Sequence, residues 1–481
     1  MATEFTPLVI DSGFLSDSKK IIRDRIIPWE GLSRSGVVSE DDASYIKVLE
    51  KQSPENKKST VLSQLDLCTN TILNLLNKLE VNEKDDVLKN VLTLINDLLL
   101  ELPGQEFLDS LLALSDVDSS LPYVPFLKHL DNNDGLIKSL ALYNLIILLS
   151  KASKNPKSAA KIDKEVLIKI FDVLSSEQFI GNVSESNFQL ISIQLLQELL
   201  IVKQFKQIYQ DSNLVSNFKS INQLISNSAK YPNATGLQLS YNILLSLWIL
   251  SFSAPINKTL VHNFPELINN LLVIAKDSIM VKIVRVSVGI LKNFVSVTSS
   301  SQEQFKTIKI LLFHEGLPTI NILKGRKFAS NESDEELAND LVYLSDVLNE
   351  IVAEKLTSFD EYLTELENPN LLSFSSPTHK STEFWLENSH KFKDSSYKLV
   401  KRILEILASP DFDTATIKVI LLNDLQFLIK NLGNDLVNVI STEKDGAYKL
   451  LIMSYLDNNK GDNDLKYEAL KTIQLLVGRS F

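Results

Sequence analysis

The chain has 481 residues, of which 44% are hydrophobic and 23% charged, a globular composition that excludes general disorder. Lys and Arg number 49 against 60 Asp and Glu, a formal charge of −11, which excludes a dedicated nucleic-acid binder working by phosphate neutralisation. Only 14 residues are glycine, too few for the turns of a hairpin-rich β fold, and a single cysteine, Cys68, excludes an internal disulfide and fits a reducing compartment.

Residues 1–10, MATEFTPLVI, lack the basic and apolar regions of a secretory signal, so none is expected. They read as a frayed terminus, with an extended peptide docked in a groove as the sharper alternative. Short helical pieces are predicted from 14 to 50, then a polar loop from Gln52 to Thr60.

From Val61 onward amphipathic helices alternate with short polar breaks, and a repeat shows. Phe126–Leu130 leads through Asp131–Asp134 to Ile137-Lys138-Ser139-Leu140-Ala141. Leu271–Ala275 leads through Asp277 to Val281-Lys282-Ile283-Val284, and Leu450–Met453 through Asp457-Asn458-Asn459 to Leu465-Lys466-Tyr467-Glu468-Ala469. Each reads as helix, acidic turn, and a second helix opening on an aliphatic-Lys pair. One such hairpin cannot bury both its apolar faces, so hairpins stack and share a core. The expected fold is all-α, an armadillo/HEAT-like right-handed superhelical solenoid with a smaller helical C-terminal domain.

Between repeats, Lys151–Lys164 reads as a solvated loop and Val297–Gln304 as a serine-rich one. Tyr241–Phe252, read as the longest apolar stretch, is too short to span a bilayer, so no transmembrane segment is expected. Tyr241, Trp248 and Phe252 share a helical stripe. A peptide-clamping Trp/Asn ladder would have to recur on successive repeats, and Trp29 and Trp385 lie outside this array, so the stripe reads as core.

Leu337, Leu341, Leu344, Leu348 and Ile351 form the stripe of a long helix, with Ser333 and Glu336 spaced as its capping box. Ser358 and Glu361 repeat that spacing, so a new helix begins near Phe359 and ends before Pro369. The joint between them is Glu354, Lys355, Leu356 and Thr357. The predicted domains are therefore 1–353 and 358–481, with 354–357 as a short hinge. Phe384 and Trp385 point about 100° apart on a helix, so burying both needs a layer on each side. The pair reads as the anchor of the C-terminal domain.

No catalytic, cofactor or metal site emerges. Gly31 and Gly36 have phosphate-loop spacing, but Val37 and Val38 stand where Lys and Ser/Thr would be needed. The five histidines, 129, 262, 314, 379 and 390, are scattered without i, i+4 pairing. His379 reads as a structural hydrogen-bonding group at a turn.

Leu356-Thr357-Ser358-Phe359-Asp360-Glu361-Tyr362, then Ser376-Pro377-Thr378-His379, Phe384-Trp385 and Asn388, resemble the H-subunit family of the V-type proton ATPase. Leu317-Pro318-Thr319, Asn423-Asp424, Tyr467-Glu468-Ala469-Leu470 and the Trp29–Ser35 segment extend the likeness, while Phe374 stands where the family usually carries Trp. The resemblance implies a non-catalytic regulatory subunit without cofactor, cytoplasmic and held peripherally at an acidic-organelle membrane such as the vacuole. Implied partners are the E and G subunits of the peripheral stalk, the cytosolic domain of the a-subunit, the catalytic A/B hexamer and the central rotor. Such a regulator is needed for proton transport by the assembled pump and inhibits hydrolysis by the detached soluble sector. By position the loop Ser409–Thr416, with Pro410, Asp411, Phe412 and Asp413, matches the one the family uses for inhibitory contacts, and it reads as an apolar tip between two charges. Two rivals from other classes are an armadillo-type cargo adaptor or transport receptor, and an enzyme with a spatially assembled site.

Overall fold

Apolar residues recur every three or four positions along most of the chain, and the computed structural model turns these runs into helices. It describes residues 5–102, 106–182, 184–231, 235–326, 334–354, 358–374, 376–456 and 463–478. Among them every regular element is an α- or 3-10 helix, grouped in two units: residues 1–260 with 270–297, and residues 261–269 with 298–481.

The first unit is built on a row of long helices: α1 (Gly13–Asp24), α2 (Asp85–Glu101), α3 (Gly135–Ala152), α4 (Ser186–Ile201), α5 (Leu237–Leu250) and α6 (Val281–Ser296). From α2 to α6 each packs on the next, and α1 lies on α2. The intervening helices, such as Lys164–Ser175 and Leu214–Lys230, stack as a second layer. This is the two-layer arrangement of armadillo and HEAT repeats. The acidic turn before α3 acts as its cap, because Asp134 accepts from the amides of Leu136 (2.8 Å) and Ile137 (3.2 Å). Helix α3, not Tyr241–Phe252, is the longest apolar segment, and it is long and apolar enough to cross a membrane. Ser139 to Ser150 are nevertheless all buried, which makes α3 a core helix.

The second unit contains α7 (Ser301–Phe313), α8 (Gly316–Lys324), α9 (Glu335–Glu354), α10 (Ser358–Glu367), α11 (Thr382–Asn388), α12 (Asp394–Ala408), α13 (Ala415–Leu432), α14 (Ala447–Ser454) and α15 (Asn463–Gly478). Leu337, Leu341, Leu344, Leu348 and Ile351 are all buried along α9. Its cap is Asp334, which accepts from the Leu337 amide at 3.1 Å, while Ser333 lies outside the described residues. So do Lys355, Leu356 and Thr357 of the expected hinge; Glu354 ends α9. Helix α13 packs on α11, α12 and α15, and α14 on α15.

Segments expected as loops are partly helical. Pro54–Ser63 forms a helix with Ser53 as its cap, Asn155 caps the short helix Pro156–Ala159 within Lys151–Lys164, and Ser300 caps α7 by accepting from Glu303. In each, a good N-cap outweighs a polar composition. At the start of α8 a Cβ on Gly316 would lie 2.6 Å from the Leu311 carbonyl oxygen. Gly316→Ala is therefore expected to cost about 1–3 kcal/mol in unfolding free energy, measured by urea titration; a neutral result would mean the α7–α8 turn yields freely.

Candidate functional site

Helix α10 begins at Ser358, and it sends polar as well as apolar side chains into the C-terminal core. Tyr362 and Glu365 on α10, His379 in the 3-10 turn opened by Pro377, and Asp424 on α13 meet there, all at 0% exposure. His379 Nδ1 donates to Asp424 at 3.0 Å, and its Nε2 stands 3.0 Å from Glu365 Oε2. The Tyr362 hydroxyl donates to Asp424 at 3.0 Å, and the Asn423 amide donates to the His379 carbonyl at 2.7 Å. Burial alone would strip the proton from His379, but the hydrogen bond to Asp424 and the contact with Glu365 outweigh it and push the imidazole up to about 10. It is therefore a cation at neutral pH, bridging two buried carboxylates. Burial and the Asp424 carboxylate together hold the Tyr362 hydroxyl well above its ordinary value.

Aromatic rings wrap this ionic centre. Trp385 stacks on Phe427 of α13 at 5.9 Å and 4°, and meets Tyr362 edge-on at 5.2 Å. Phe384 lies 5.7 Å from Tyr362, and Phe359 meets Phe392 at 5.8 Å with the Lys391 ammonium 4.3 Å over its ring. Tyr362, His379, Phe384 and Trp385 thus form one cluster, with Phe359 at its edge. Asp360, two residues before Tyr362 on α10, is half-buried. What the cluster does physically is fix α10 to α11 and α13.

The segment Ser409–Thr416 lies elsewhere: residues 409–414 connect α12 to α13, and Ala415 and Thr416 open α13. Ser409 accepts from the Asp411 amide at 3.2 Å, making a short 3-10 turn over Pro410–Phe412. Pro410, Asp411 and Asp413 are exposed. Phe412, expected at the tip, is half-buried and packs on the C-terminal core. Asp413 pairs with Lys418, whose ammonium lies 4.8 Å over the Tyr455 ring. The loop is pinned by one ring and presents carboxylates.

In the first unit residues 1–4 of the expected frayed terminus lie outside the described residues, whereas Leu8, Ile10 and Asp11 are held against α3, α4 and α5. The buried Tyr143 hydroxyl donates to the Leu8 carbonyl (2.7 Å) and accepts from the Ile10 amide (3.2 Å). Gln194 accepts from the Asp11 amide at 2.9 Å, and Gln238 donates to the Asp11 carboxylate at 2.8 Å. A ladder of main-chain contacts from successive repeats does exist, then, but it is made of Tyr and Gln. Behind it, Lys19 reaches Asn96 (2.7 Å) and Asp97 (2.8 Å), and Asn96 donates to Asn144 at 2.9 Å. Burial would raise the Asp97 carboxyl, but Arg23 and Lys19 outweigh it and hold it below its ordinary value. Tyr143→Phe is expected to speed exchange of the Ile10 amide about tenfold, since a buried hydrogen bond contributes roughly 1–1.5 kcal/mol. An unchanged rate would show that packing of Ile10 alone holds the segment.

The stripe Tyr241, Trp248 and Phe252 is not core. Tyr241 and Trp248 are half-exposed and Phe252 is 50% exposed, with Trp248 and Phe252 edge-to-face at 4.9 Å. Helix α5 buries the opposite face, through Ile243, Leu244, Leu247 and Leu250. No group of His, Cys, Asp and Glu suited to a metal occurs among the described residues. Glu365 and Asp424, the partners of His379, carry no local signal that singles them out; the Asn423-Asp424 pair is visible in the sequence only as part of the family resemblance.

Two family models, both described as the H subunit of V-ATPase, match residues 13–348 and 355–481. The chain is 25% identical over 473 residues to the V-type proton ATPase H subunit of Drosophila melanogaster, covering 98% of this chain and 91% of that one. The protein of the same name from Dictyostelium discoideum is 25% identical over 391 residues, 81% of this chain and 79% of its own. A probable V-type proton ATPase H subunit from Oryza sativa is 24% identical over 485 residues, with 97% of each chain covered.

Proposed function

The chain belongs to the V-ATPase H-subunit family, and we propose that it is needed for ATP-driven proton transport by the assembled pump and inhibits ATP hydrolysis by the detached soluble sector. The observation that carries this is the match of the two H-subunit family models over residues 13–348 and 355–481, almost the whole chain. A regulatory subunit of this kind needs no chemistry of its own. It needs rigid bodies that dock on other subunits, and the stacked repeats and the ionic anchor of the C-terminal domain support that.

In this reading residues 1–353 bind the peripheral stalk of the E and G subunits and the cytosolic domain of the a-subunit. Residues 358–481 turn about the hinge 354–357 and, in the detached sector, bridge the stationary A/B hexamer and the central rotor. Two bodies joined by a few residues reach two docking geometries at little internal cost, and partner contacts choose between them. The exposed carboxylates of Asp411 and Asp413 supply the charged contact. The protein works from the cytoplasmic side of an acidic-organelle membrane, held there through the pump.

Reassembly tests the transport half of this proposal. Membranes and soluble sector stripped of the regulator should regain ATP-driven acidification, read by quenching of a pH-sensitive dye, when the purified full-length chain is added. Acidification at the same level with and without the chain would contradict it.

A further inference from the structure

Helices α7 and α10 lie on opposite sides of residues 354–357 in sequence, yet they pack together within the second unit. An ion pair joins them. Lys306 Nζ stands 3.5 Å from Glu367 Oε2, with the two side chains 46% and 44% exposed. Three positions on, Lys309 is only 8% exposed, its ammonium 5.1 Å over the Phe305 ring. Burial lowers the Lys309 ammonium below its ordinary value, and the carboxylates of Glu367 and Asp360 oppose that. Positions 306 and 309 share one face of α7, and 360 and 367 share one face of α10. A cation on the helix before residues 354–357 thus meets an anion on the helix after them, with a second cation, Lys309, three positions along the same face of α7. Interfaces of this polar kind are typical of bodies that part and rejoin.

We propose that Lys306 and Lys309 on α7, with Asp360 and Glu367 on α10, form an ionic latch that holds the C-terminal domain against the last hairpins before the joint and opens when those charges are screened or bound elsewhere. The proposal rests on reading 354–357 as a joint, and it assigns the control of that joint to named side chains. It also gives Asp360 a role that the buried anchor does not use.

Pulsed dipolar spectroscopy on the full chain tests it, with Cys68→Ser removing the sole cysteine and spin labels placed at Gln302→Cys and Glu387→Cys, both exposed. At about 20 mM salt a narrow distance distribution is expected, broadening at about 0.5 M, where exposed charges are screened over a few ångströms. Lys306→Glu should raise the open fraction about fivefold or more at low salt, and adding Glu367→Lys to it should restore the narrow distribution. A broad distribution indifferent to salt and to both substitutions would overturn the latch while leaving the joint intact. A narrow distribution under every condition would overturn the latch and the joint together.

Discussion

Replacing His379 with glutamine is expected to destabilise the second unit by about 3–5 kcal/mol, the cost of leaving buried charge without its counter-ion. The expectation follows from what surrounds it. Glu365 and Asp424 are both at 0% exposure, and Glu365 has no hydrogen bond among the described residues, so the imidazolium is what balances it. The dependence on pH has a definite sign. Folding raises the His379 pKa from 6.5 to about 10, so the folded state binds the proton more tightly than the unfolded one. Its contribution is fully present below pH 6.5, falls as pH rises, and is gone above about 10. Urea unfolding followed by circular dichroism from about pH 6 to about pH 10 should show that decline in the wild-type chain and a flatter profile in His379→Gln. Adding Glu365→Gln and Asp424→Asn to His379→Gln should recover part of the loss, because no unpaired charge then remains. If His379→Gln alone were as stable as the wild type, the imidazolium bridge would be wrong.

Exchanging Ser409–Thr416 for a Gly/Ser linker of equal length is expected to relieve most of the inhibition of the detached sector while costing about 1 kcal/mol or less in stability. The stability cost is small because Phe412 is only half-buried against the C-terminal core, and a serine of the linker can take the place of Thr414 as the cap of α13. The functional cost is large because Asp411 and Asp413 are its exposed charges. A finer variant, Asp411→Asn, should weaken inhibition in a salt-dependent way, since exposed charge pairs are screened by added salt. Unchanged inhibition in the linker variant would move the contact to another part of residues 358–481.

Much of the fold was legible because helices announce themselves locally. The stripe Leu337–Ile351 and the repeat grammar of Ile137, Val281 and Leu465 depend on spacing alone, and the structure turns them into stacked helices. Caps were legible in kind: Asp334 accepts from the Leu337 amide at the start of α9, while Ser333 of the expected capping box lies outside the described residues. The short helix Pro54–Ser63 was hidden because its residues are polar, although Ser53-Pro54 is a good start signal. What no local rule could supply were pairings across long separations. Glu365 and Asp424 look like ordinary helix charges until His379 is brought between them, and Tyr143, Gln194 and Gln238 look like ordinary spine residues until residues 8–11 are laid across them. The stripe Tyr241–Phe252 misled for a related reason: helical spacing tells which residues share a face, not whether that face is covered.

The most direct test of the central claim is MgATP hydrolysis by the soluble sector stripped of this regulator, measured with increasing full-length chain. The account predicts a saturable fall in the hydrolysis rate to a small fraction of its starting value, reached at one chain per sector. A rate that stays unchanged while the chain is shown to bind the sector would contradict it.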